Sequence, residues 1–166
     1  RVGERPLPTE LTGEAGERLR ESGQEYGAST GRPRRCGWFD AVAMRYAVRL
    51  NGLDALAISK LDVLDDLDEI CVCTAYRREG KLLHDFPADS GVLASCEPVY
   101  ETLPGWSSPT QGAQRETDLP SEARAYVARL EELAGAPAVI LSTGSDRVDT
   151  ILRDHAILED WIGSSR

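Results

Sequence analysis

Two short apolar runs, Leu56-Ala57-Ile58 and Ala138-Val139-Ile140-Leu141, pass directly into the polar loops Ser59-Lys60-Leu61-Asp62 and Ser142-Thr143-Gly144-Ser145-Asp146-Arg147. Runs this short and this apolar read as buried strands. A helical pattern precedes each. Asp40 can cap a helix over Ala41 to Leu50 that Asn51-Gly52 ends, and Pro120 opens another through Leu133, with apolar Ala123, Val127, Leu130 and Leu133 and with Gly135 closing it. Helix, strand and polar loop in this order is the rhythm of an α/β protein, whose ligands collect at the carboxyl ends of strands.

The rest of the chain fits that frame. Thr12 to Tyr26 has modest helical character broken by Gly23 and Gly27, and Glu69 to Arg77 reads as a strand that turns at Glu79-Gly80 into Lys81 to His84, a hairpin. Glu97 to Leu103 is extended, with Pro104-Gly105-Trp106 read as a turn that ends it. The 166 residues can bury a real core, as one domain or a large part of one. Cys36, Cys71, Cys73 and Cys96 form no C-x-x-C pair, and Cys71 and Cys73 share one face of a strand, so reduced, buried thiols are expected. No long apolar segment suggests a membrane span or a secretory leader, which points to a soluble, cytoplasmic protein. Pro6-Leu7-Pro8-Thr9-Glu10-Leu11 reads as a connecting segment rather than a domain opening.

A net charge of −9 argues against general nucleic-acid binding. The charge is uneven. Between Gly27 and Leu53 five arginines (Arg32, Arg34, Arg35, Arg45, Arg49) face one acid, Asp40, a local excess of four positive charges. Arg45 and Arg49 fit a solvated helix face. In Ala28-Ser29-Thr30-Gly31-Arg32-Pro33-Arg34-Arg35, by contrast, three guanidinium groups sit beside hydroxyls and exposed backbone, an arrangement that suits a small anion and is otherwise a solvated basic turn. Three close arginines repel one another without an anion.

Guanine presents two donors on one edge, N1–H and the 2-amino group, and a carboxylate accepts both. Asp62 fits that role, with the Lys60 stem lying across the ring, and Ser142-Thr143-Gly144 can close over the base. An ordinary surface Lys-x-Asp and a polar strand-to-helix turn are the alternatives. No G-x-x-x-x-G-K-[ST] loop occurs, His84 and His155 show no acid or nucleophile partner, and Asp65-Asp66 with Asp68-Glu69 reads as a solvated acidic face. Neither a catalytic acid or base nor a metal site is expected in this chain.

Gly27 to Asp40, Lys60-Leu61-Asp62-Val63-Leu64-Asp65, Tyr100 to Trp106 and Ser142 to Arg147 together resemble the C-terminal part of the adenylosuccinate synthetase family, in consistent order and spacing from about Pro6 to Arg153. The resemblance implies the C-terminal part of a P-loop-NTPase-like, mixed and mostly parallel sheet with flanking helices and a β-hairpin, spanning residues 1–166. The N-terminal phosphate-loop portion is without counterpart here. It implies GTP-dependent ligation of IMP and L-aspartate to adenylosuccinate, the first committed step from IMP to AMP, in a cytoplasmic homodimer. Ala28, Ser29, Thr30, Gly31, Arg32, Pro33 and Arg34 then match the aspartate loop, Arg32 also touching IMP and Arg34 also touching GTP. Lys60, Leu61, Asp62, Ser142, Thr143 and Gly144 match the GTP site. Mg²⁺ is implied, with its ligands outside this chain. Pro33 stands where the family is usually basic and Ser145 where it usually has proline. A non-catalytic purine-nucleotide or anion-binding module is the alternative; RNA binding through the arginine loop is disfavoured by the acidic total.

Overall fold

The computed structural model describes residues 5–163, which form two compact units: residues up to Tyr46 with Ile70–Leu103, and Ala47–Glu69 with the chain from Pro104 onward. The α/β class holds, with seven strands distributed over two mixed sheets among the described residues.

In the first unit, α1 (Glu14–Ser22) is polar, with Glu14 and Glu17 in its first turn and Gly23 as its C-cap, where the sequence breaks the helical pattern. The strand β1 (Phe39–Asp40) leads straight into α2 (Ala41–Asn51). Asp40 does cap this helix: its Oδ1 accepts the Ala43 backbone N–H at 3.0 Å, while its Oδ2 accepts the Tyr76 hydroxyl. Tyr76 is fully buried. It belongs to β3 (Leu67–Arg78), which pairs parallel with β1 through Phe39↔Val72 and Asp40↔Cys73. One carboxylate thus joins a helix start to a neighbouring strand.

After Glu79-Gly80, β4 (Lys81–Leu83) pairs antiparallel with β3, so the hairpin is as expected. The unit's core gathers Val42, Cys73, Tyr76, Leu93 and Cys96, with Leu83 and Phe86 packed against them and Phe86 stacked on Tyr46 at 5.0 Å between ring centres. Leu93 comes from α3 (Ser90–Ala94), a short helix that no long apolar period announces, started by Asp89, whose side chain accepts the Val92 N–H. All four cysteines are free thiols. Only Cys73 and Cys96 are buried; Cys36 and Cys71 are partly exposed, which corrects the expectation of four buried thiols. Burial pushes the Cys73 thiol up to about 12, so it remains protonated.

The other unit is built on β2 (Leu56–Ile58), β6 (Ala138–Ser142) and β7 (Thr150–Leu152) in the order β2-β6-β7. β2 and β6 run parallel and β6 and β7 antiparallel. The helix α4 (Ser121–Ala134) buries Ala123, Tyr126, Val127, Leu130 and Ala134 along one stripe, and Gly135 ends it as expected. Leu133 is only half-buried, and Tyr126, outside the expected set, takes a core place against Trp106. Arg153 ties this unit together: it hydrogen-bonds the Glu116 and Glu131 carboxylates and the Ala138 carbonyl, and Glu131 also accepts the Ala138 N–H. The last helix is α5 (Ala156–Gly163).

The turn expected at Pro104-Gly105-Trp106 is absent, because β5 (Glu97–Trp106), which pairs with β3, continues through it. The reason lies in Gly105. A Cβ there would fall 1.7 Å from the Leu67 carbonyl oxygen, so glycine marks a close backbone approach rather than a bend.

The Asp40 junction has a measurable consequence. In urea denaturation, Asp40→Ala should cost about 2–4 kcal/mol, combining a lost helix cap with a buried Tyr76 hydroxyl left without its acceptor. Tyr76→Phe keeps the cap and removes the hydroxyl together, so its cost should be about 1 kcal/mol.

Candidate functional site

The parallel register of β2 and β6 sets Ile58 beside Leu141 at their carboxyl ends. β6 runs one residue further, Ser142 pairing with Thr150 of β7, and the chain then leaves both strands at the same edge, which brings Lys60-Leu61-Asp62 and Ser142-Thr143-Gly144 together. Lys60 is exposed and takes a left-handed backbone at φ 60°, costly for a residue with a Cβ. It precedes a 3-10 turn over Leu61–Leu64. Leu61, 1% exposed, anchors that turn in the core, so any ligand contact there falls to its backbone.

Asp62 is half-buried, and its Oδ1 is enclosed without a hydrogen-bond partner among the described residues. A carboxylate oxygen in that condition is costly unless a donor arrives. Burial holds the Asp62 carboxyl above the ordinary carboxylate range, the carboxylates of Asp65 and Asp149 push it the same way, and Lys60 opposes them. The site therefore favours an incoming donor at Asp62.

The facing loop is held from beneath by Asp149. The Thr143 N–H and hydroxyl both reach the Asp149 carbonyl oxygen, at 2.9 and 3.3 Å, and the Asp146 N–H reaches the Asp149 carboxylate at 3.2 Å. Thr143 is fully buried, so it braces the loop, while half-buried Ser142 and Gly144 form its outer surface. Gly144 has a steric reason to be glycine, since a Cβ would lie 2.2 Å from the Asp149 carboxylate. Sequence reasoning did not single out Asp149, although a carboxylate three residues after Asp146 is the spacing of a local capping box.

Asp65 departs from the expected solvated acidic face. Its carboxylate accepts Trp106 Nε1–H at 2.6 Å, the Thr110 hydroxyl at 3.0 Å and the Thr110 N–H at 2.8 Å, so it is an internal anchor. Asp66, Asp68 and Glu69 are exposed, as a solvated acidic face requires.

The arginine loop belongs to the first unit. The Gly27 N–H donates to Arg32 O and the Gly31 N–H to Gly27 O, both at 2.8 Å, and Tyr26 bridges Pro33 at the loop's base. Ala28, Ser29, Thr30, Gly31, Arg32 and Pro33 are all exposed on the turn so formed. Two backbone donors of the loop are consumed internally, since the Gly31 N–H closes the turn and the Arg32 N–H donates to Thr30 Oγ1 at 3.3 Å.

The three arginines do not repel as the sequence suggested, because two are neutralised. Arg35 pairs with Glu10 at 2.6 Å and holds the Glu10 carboxyl below its usual range, and Arg34 pairs with Glu25 at 3.0 Å. Arg34 nevertheless keeps a buried Nε–H without an acceptor among the described residues. The Arg32 guanidinium extends into solvent with no acidic partner among the described residues, which makes it the cation most available to an anion.

Among the described residues no group of three or more His, Cys, Asp or Glu side chains is placed to hold a metal ion, and no helix is long and apolar enough to cross a membrane.

Known proteins resemble this chain over most of its length. The adenylosuccinate synthetase from Geobacter sulfurreducens is 57% identical over 152 residues, covering 92% of this chain and 35% of its relative. Those from Heliobacterium modesticaldum and Coxiella burnetii are 55% and 51% identical with similar coverage. The chain thus spans about a third of the length of the curated relatives it matches. The structure of fully ligated adenylosuccinate synthetase from Plasmodium falciparum superposes with a TM-score of 0.88 at 36% identity, over 93% of this chain and 37% of that one. The adenylosuccinate synthetase family model matches residues 1–151, and with the paired strand ends carrying Lys60 to Asp62 and Ser142 to Gly144, the chain belongs to that family.

Proposed function

We propose that this chain supplies the guanine- and aspartate-binding segments of a GTP-dependent ligase that joins IMP and L-aspartate into adenylosuccinate. The observation that carries the reading is Asp62: an enclosed carboxylate oxygen lacking a donor, at the paired ends of two parallel strands, facing a glycine-containing loop. In this reading the Asp62 carboxylate accepts guanine N1–H and the 2-amino group. Lys60 lies along the ring face, the Leu61 backbone lines the pocket, and Ser142, Thr143 and Gly144 form its other wall.

Ala28 to Arg34 receive aspartate, Arg32 forking onto a carboxylate and reaching IMP, and Arg34 reaching GTP. The γ-phosphoryl group of GTP passes to the 6-oxygen of IMP, leaving GDP. The aspartate amine then attacks C6, phosphate departs and the amine loses a proton. This chain's part in those steps is to bind and orient. The residues that move the phosphoryl group, the magnesium ligands and the catalytic acid and base belong to segments outside these 166 residues. The whole enzyme is a cytoplasmic homodimer in this proposal.

Three outcomes are expected. In the complete enzyme, Asp62→Asn places an amide donor against guanine's two donors and lowers kcat/KM for GTP roughly 100-fold or more; unchanged GTP kinetics would refute the assignment. The same substitution should not destabilise this chain at neutral pH. The folded state raises the Asp62 pKa, so the ionised carboxylate costs stability above that raised value, and the cost fades as pH falls through it toward the unfolded value. Thermal melts across pH should therefore show the relief given by Asn at neutral pH and none in acid. Arg32→Leu should raise the KM for aspartate roughly 10- to 100-fold, as loss of a charge-assisted contact predicts, with an unaltered melting temperature.

A further inference from the structure

The Asp62 turn stands between two unequal ends. Lys60, at its start, holds a left-handed backbone that the chain does not adopt without compensation. At its end, the Asp65 N–H donates to Asp62 O at 3.1 Å, and the Asp65 carboxylate is filled by Trp106 Nε1–H, the Thr110 hydroxyl and the Thr110 N–H. The following residue is tied as well, because the Asp66 N–H donates to Trp106 O at 3.0 Å. Trp106 is 4% exposed and Thr110 fully buried, so the donors are themselves immobile. A half-buried carboxylate receiving three hydrogen bonds far exceeds what closing a four-residue turn requires.

We propose that Asp65 is a positioning residue for guanine recognition: gripped by Trp106 and Thr110, it fixes the turn that aims the Asp62 carboxylate at the two donors of the base. The inference rests on Asp62 being the guanine acceptor. It adds that selectivity depends on a residue that touches no part of the nucleotide. A bidentate pair needs both oxygens at defined angles, whereas one hydrogen bond tolerates a swivel. Loosening the clamp therefore costs the second bond first, the one to the 2-amino group.

The test compares GTP with ITP, which keeps N1–H and lacks the 2-amino group, in the complete enzyme. Asp65→Asn is nearly isosteric but sets an amide donor against the Thr110 N–H. Thr110→Val removes the hydroxyl bond, and Trp106→Phe removes the indole bond together with part of the packing against Tyr126. We expect Asp65→Asn to shrink the GTP-to-ITP ratio of kcat/KM about tenfold, through the KM for GTP, with kcat and the KM for aspartate little changed. Thr110→Val and Trp106→Phe should move the ratio the same way by smaller factors, and they carry the test if Asp65→Asn does not fold. A lowered melting temperature with an unaltered ratio, while Asp62→Asn abolishes discrimination, would make Asp65 a purely structural residue and overturn the proposal. An unaltered ratio in Asp62→Asn itself would instead overturn the guanine assignment, and this inference with it.

Discussion

The parallel pairing of β2 with β6 is the contact on which the candidate nucleotide site depends. Ile58 sits beside Leu141, and because parallel strands end at the same edge, the polar residues that follow each are delivered to one place. Shifting that register by one residue would turn the side chains of Leu56 and Ile58 to the opposite face of the sheet. Register is therefore also geometry at the site. It is held by α4, whose apolar stripe covers its unit's core, and by Arg153, whose guanidinium joins the Glu116 and Glu131 carboxylates to the first carbonyl of β6.

Around that edge the chain tolerates features that a stability optimum would avoid. Lys60 has a left-handed backbone, Asp62 has an enclosed oxygen lacking a donor among the described residues, and Asp149 brings a second, buried carboxylate near it. Each is unfavourable alone. Their coincidence within a few residues, beside the saturated and well-braced carboxylate of Asp65, separates groups that hold the site from groups left open toward a ligand.

The arginine loop shows the same division. Arg34 and Arg35 are paired with Glu25 and Glu10 and so help build the loop, while exposed Arg32 is held out on a turn closed by its own backbone. A run of like charges in sequence thus became one available cation among the described residues. Charge counting could not find this, because the neutralising glutamates come from segments about ten and twenty-five residues away in the chain.

What the sequence determined by itself was local. Apolar runs of strand length, the Asp40 cap, the Glu79-Gly80 turn and the Gly135 stop each act over a few residues, and all appear where expected, although β2, read as buried, is only partly so and leaves Ala57 exposed. Motif order carried the family, because four spaced motifs are a property of the chain alone. Tertiary structure decided whatever depends on distant partners. Asp65 looked like one more solvated acid until Trp106 and Thr110, more than forty residues away, filled its carboxylate, and Gly105 looked like a turn until the Leu67 carbonyl came against it. Cys71 and Cys73 share one face of β3 by their spacing, yet packing left the first partly exposed and buried the second. Hydrogen bonding and burial between remote residues leave no periodic trace, so those assignments exist only in the folded molecule.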